Sequence, residues 1–136
     1  MRTIHRVLAV LTGLFLVAGL TSVTAPANAA EKIAREITIK GTEPKPNKFV
    51  LKGRVTPPTG TKINAIVQFK ECGTDSNCKK SWKTFRQIKT NNKGRYTQQV
   101  RGLRKGVKRV YYRVKTKPND KYKGASSQAV YIHRIY

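Results

Sequence analysis

The chain has 136 residues, 29 of them Lys or Arg against 6 Asp or Glu, for a formal charge of +23. That length carries one hydrophobic core rather than two, and the sparse carboxylates and two histidines leave little material for acid–base or metal-centred catalysis. Self-repulsion at such a charge opposes compaction, so the excess points to a polyanionic partner, with a merely solvated basic surface as the plainer reading.

Residues 1–29 read as a signal peptide. Arg2, His5 and Arg6 give a positive start, Val7 to Leu20 is a 14-residue apolar run, and Ala27-Asn28-Ala29 supplies small residues at the spacing of a cleavage site. A membrane-spanning helix needs roughly 20 mostly apolar residues, so removal is expected rather than retention as an anchor, with no stable transmembrane span afterwards. Removal takes Arg2 and Arg6 and no acid, lowering the formal charge from +23 to +21 over the 107 residues that follow. The expected location is secreted or extracellular, or associated with the cell surface.

Residues 30–47 read as a flexible N-terminal segment with room for a first strand at Glu36–Lys40. Glu31–Arg35 resembles a tether open to a partner, and Gly41–Asn47, with Pro44 and Pro46, a loop. Residues 48–136 form the main domain. Short alternating or β-branched segments follow at near-regular spacing over 49–55, 62–70, 82–89, 95–101, 109–116 and 128–135. With the first they make about seven strands, and none shows helical periodicity. Two packed sheets suit them better than one, which would leave an apolar face wet. Alternation assigns Phe49, Leu51, Val55, Ile63, Ala65, Val67, Phe69, Tyr96, Val100, Val110, Tyr112, Val114, Val130 and Ile132 to the core. Trp82, Phe85 and Ile88 break the period of two, which implies a bulge, and Trp82 reads as a core anchor rather than a stacking platform.

Turns are expected at 56–60, at Asn91–Gly94, between Gly102 and Gly106, and over Lys117–Asp120. Cys72 and Cys78 bracket a polar loop, most simply as a local disulfide in an exported chain, contributing at most roughly 2 kcal/mol. Zinc would need more ligands than these two and His133 supply. Asp75-Ser76-Asn77 lacks the glycine and distal glutamate of a calcium loop.

Gly53-Arg-Val-Thr-Pro-Pro-Thr-Gly60, Ile63 to Gln68, Trp82-Lys-Thr, Lys93-Gly-Arg-Tyr96, Tyr111-Tyr-Arg-Val114 and Val130-Tyr-Ile132 together resemble the small immunoglobulin-like or fibronectin-type-III-like sandwich domains of secreted bacterial proteins. The resemblance spans roughly Lys48 to Tyr136. It implies an all-β, two-sheet antiparallel sandwich working as a spacer, adhesion or carbohydrate-binding unit, and fold alone does not choose among them. The cysteine loop and the absence of neighbouring modules in this sequence depart from a simple spacer.

No catalytic constellation stands out, and no cofactor, metal or small-molecule substrate is expected. The six acids Glu31, Glu36, Glu43, Glu71, Asp75 and Asp120 are scattered. The most constructible enzyme is a secreted ribonuclease-type toxin with Glu71 as base and His133 as acid. The stronger expectation is a non-catalytic binding module for anionic wall polymer, nucleic acid or lipid. The alternative is a small exported adaptor or structural subunit docking on an acidic secreted protein. Arg101, Arg104, Lys105, Lys108 and Arg109 crowd one turn, continuing through Tyr111, Arg113 and Lys115. Lys83, Arg86 and Lys89 interleave with aromatics on another strand. On one sheet the two stretches would form a continuous positive face.

Overall fold

A computed structural model describes residues 29–73 and 78–133. The expected signal peptide falls almost entirely on residues 1–28, outside the described residues. Eight strands occur among the described residues: β1 (Glu36–Lys45), β2 (Lys48–Thr56), β3 (Asn64–Cys72), β4 (Lys83–Lys89), β5 (Arg95–Val100), β6 (Arg109–Thr116), β7 (Ala125–Ser126) and β8 (Val130–His133). They form two antiparallel sheets, one ordered β1-β2-β5 and the other β4-β3-β6, with β6 paired on its far side to both β7 and β8. This is an all-β sandwich of generic immunoglobulin-like shape.

Alternation explains how the sheets meet. Leu51 and Val55 on one sheet, and Ala65, Val67, Val110, Tyr112 and Val114 on the other, are buried in one cluster, with Phe49, Phe69, Phe85, Val130 and Ile132 packed against it. Tyr112 donates its hydroxyl to the Arg101 carbonyl at 2.7 Å, pinning the β5–β6 connection to the core. Burial pushes the Tyr112 phenol up to about 12.

Four expectations are corrected. The strand count is eight rather than about seven, because Ala125–Ser126, upstream of the expected segment 128–135, pairs with β6 as a short strand of its own, with a break before β8. At the break the Ser127 hydroxyl accepts from the Val114 amide at 2.9 Å while the Ser127 amide donates to the Val114 carbonyl at 2.8 Å, so a side chain substitutes for a ladder bond. Gly41–Lys45, read as loop, continues β1 against β2, with a register shift between Thr42 and Lys45. Pro44 is tolerated there because β1 is an edge strand. Residues 31–35 are not a loose tether: the Ile33 amide donates to Lys121 and its carbonyl accepts from Lys123, at 2.9 and 2.8 Å. Trp82 lies outside the core, as described below.

The expected bulge is present on β4, where Arg86 pairs with Val67 and Thr84 with Gln68, leaving Phe85 as the extra residue. Phe85 turns inward onto Phe69 and Tyr112, with ring centroids 6.1 and 5.9 Å away. Cys72 and Cys78 form the expected disulfide, their Cα atoms 5.8 Å apart.

Candidate functional site

The outward face of the sheet built on β3 and β6 is set by the same alternation that sends Val110, Tyr112 and Val114 inward. On β6 it carries Arg109, Tyr111, Arg113 and Lys115. Opposite them on β3 stand Cys72, Lys70, Gln68 and Ile66 in register, and on β8 His133 and Tyr131 face Arg109 and Tyr111. One rung therefore reads Lys70, Tyr111, Tyr131 across three strands, and Trp82, just before β4, extends it.

Cations and rings interleave along this face. The Arg113 guanidinium lies 4.3 Å from the Trp82 ring centroid, and the Lys70 ammonium lies 4.9 Å from it on the same indole. Lys70 also approaches the Tyr111 ring at 5.4 Å, and Arg109 sits 4.8 Å over Tyr131. Tyr131 is 52% exposed, and its ring lies tilted against those of Tyr111 and His133 with centroids 5.7 and 5.4 Å away. Attraction between a cation and the ring quadrupole holds each pair, so the guanidinium planes lie over the rings instead of sweeping through solvent.

Hydrogen bonds fix two of the arginines. Arg113 donates from Nε to Gln68 Oε1 at 2.9 Å and is half-buried, so desolvation pulls its pKa down from the ordinary value. Arg109 donates to the Tyr111 hydroxyl at 3.2 Å, which raises the Arg109 pKa. Lys70 donates to the Cys78 carbonyl at 2.7 Å, which ties the disulfide loop to this face.

The expected basic residues divide between surfaces. Arg109, Tyr111, Arg113 and Lys115 share the outward face, and Lys89, paired with Asn64, joins them at its far end. Lys83 and Arg86 pair with Phe69 and Val67, the inward row, and are exposed only because β4 is a free edge. Arg101 reaches over Phe85 at 5.8 Å, and Arg104 forms an ion pair with Glu71 at 3.3 Å. These line a small pocket of about 220 Å³ beneath that edge. Lys105 and Lys108 are exposed in the β5–β6 turn. Glu71 and His133 occupy opposite faces of their sheet, so the base and acid of the ribonuclease reading are not brought together.

Lys70, Gln68, Trp82 and Tyr131 were not foreseen as part of this face. Lys70, Gln68 and Tyr131 were legible in principle, since they alternate with core residues of β3 and β8. Trp82 was not, because it lies beyond the bulge. Among the described residues no group of three or more His, Cys, Asp or Glu is placed to hold a metal. Compared with known proteins, the chain matches no family model, no curated protein and no solved structure.

Proposed function

We propose that the domain is an exported, non-catalytic binding module for anionic polymers or surfaces, engaged through the outward face of the β3–β6 sheet. The carrying observation is the stacking of Arg113 on Trp82 and of Arg109 on Tyr131, which orders charge on an exposed plane before any ligand arrives. Preordered cations lose less side-chain freedom on binding than solvated lysines do. The apolar run Val7 to Leu20 and the small residues at 27–29 support export.

Such a face grips phosphate or carboxylate oxygens without reading sequence, so affinity should fall steeply with salt. The test compares retention on RNA, on anionic vesicles and on wall polymer at two salt concentrations. Retention on at least one that weakens with salt and is lost in Arg109→Ala/Arg113→Ala supports the reading. Negligible retention on all three removes it, and a single stoichiometric protein partner would favour the adaptor alternative instead.

A further inference from the structure

A second basic concavity lies at the end of the sandwich where the β2–β3 and β6–β7 connections meet the N-terminal strap. It encloses about 890 Å³ and is lined by Arg35, Lys62, Lys89, Lys117 and Lys121 over a floor that includes Tyr122, with Asp120 the one carboxylate in its wall. The backbone bonds of Ile33 to Lys121 and Lys123 bring Arg35 against this basin.

Arg35 is the informative residue. Its guanidinium rests 4.2 Å from the centroid of the buried Tyr122 ring, and Lys121 approaches the same ring at 5.7 Å. The Nε of Arg35 is shut off from solvent and has no hydrogen-bond partner among the described residues. A buried donor left unpaired costs free energy, all the more on a charged group. The Tyr122 ring attracts the guanidinium charge but gives its Nε no acceptor, and an oxyanion in the basin would supply one.

We propose that this basin is an anion site in its own right, receiving a phosphate-type oxyanion with several acceptor oxygens, such as a terminal phosphate or diphosphate group. The planar fork of Arg35 suits two oxygens at once, and the surrounding lysines supply point charges of suitable sign. Its size lies in the range of sites that hold small organic ligands. The basin shares Asn64, Ile66, Gln87 and Lys89 with the far end of the outward face, but its centre lies past the end of β6, roughly 25 Å along the strand from Arg109 by the rise per residue. Loss of one site therefore leaves the other testable.

The experiment titrates the full-length chain with inorganic pyrophosphate and with orthophosphate at constant ionic strength, following backbone amide shifts. Shifts centred on Arg35, Lys62 and Tyr122, with pyrophosphate the tighter ligand, are expected. Arg35→Ala should weaken binding about tenfold or more, as loss of a charge-assisted fork does. Should Arg35→Ala fail to fold, the exposed pair Lys117→Gln/Lys121→Gln decides by the same weakening, and Lys52→Gln, exposed on β2 of the other sheet, should leave pyrophosphate binding unchanged. Shifts reproduced by chloride at equal ionic strength, or wild-type affinity in the variants of the basin, would overturn the proposal.

Discussion

The Lys70 ammonium donates to the Cys78 carbonyl while lying over the Trp82 ring, so one side chain joins the disulfide loop to the aromatic face. The loop is short, yet its exit holds both a cation and the indole that cation covers. Covalent closure and surface chemistry are thereby coupled.

Removing the cross-link should expose that coupling. A Cys72→Ser/Cys78→Ser variant is expected to lose about 2 kcal/mol of stability, the amount a loop of this size returns to the unfolded chain. Trp82 fluorescence should shift to the red at temperatures where the domain remains folded. An unchanged emission spectrum would show that Lys70 and Trp82 keep their places without the loop.

Charge-matched variants separate the two basic surfaces. Arg109→Ala/Arg113→Ala and Arg101→Ala/Arg104→Ala each remove two cations, but only the first pair belongs to the outward face. The first should flatten the log–log salt dependence of polyanion binding by about 1 per side chain. The second should change it little beyond general screening. Equal effects, read by fluorescence anisotropy across a salt series, would mean that net charge alone drives binding.

Alkaline pH should act through the core. The Tyr112 phenol is held neutral in the folded domain up to about 12, against 10 ordinarily, and burial pushes Tyr96 in the same direction. Below pH 10 neither phenol ionises in either state and their contribution is complete. As pH rises from 10 through about 12 the unfolded chain ionises first, so stability is lost. Tyr112→Phe should cost about 1 kcal/mol at neutral pH through the lost bond to Arg101, and should make the alkaline decline shallower than in the parent. Urea unfolding midpoints between pH 8 and pH 12 would measure both.

Gly53 tests the crossing of β1, β2 and β5. The Tyr96 hydroxyl donates to the Thr38 carbonyl at 2.7 Å directly beside Gly53, and a Cβ there would collide with both groups. Gly53→Ala should destabilise by about 1–3 kcal/mol in thermal unfolding. Combined with Tyr96→Phe the cost should be less than additive, since the hydroxyl among the obstructing atoms is gone.

The sequence carried the core well because a period of two leaves little freedom once one face is apolar. Val110, Tyr112 and Val114 could only point inward, and Arg109, Tyr111 and Arg113 could only point out. It carried Trp82 badly. A lone tryptophan is most economically buried, but here two cations shelter the indole on the outside, an arrangement that depends on long-range pairing of β3 with β6. The basic clusters misled for a related reason. Arg101, Arg104 and Arg109 are neighbours in sequence, yet the turn between β5 and β6 and the reversal of side-chain direction send them to different surfaces. Residues 41–45 lack alternation altogether, and their strand character comes from the partner β2 rather than from themselves. Arg35 carried no local signal, because its position depends on Ile33 pairing with a segment nearly ninety residues away.

β4 is the free edge of its sheet, and its bulge places Lys83 and Arg86 on the row where neighbouring strands carry apolar side chains. An approaching strand from another molecule would have to bury those cations and accommodate the extra residue before it could form a ladder. The irregularity that turns Phe85 into the interior thus also makes that border of the sheet a poor template for a further strand.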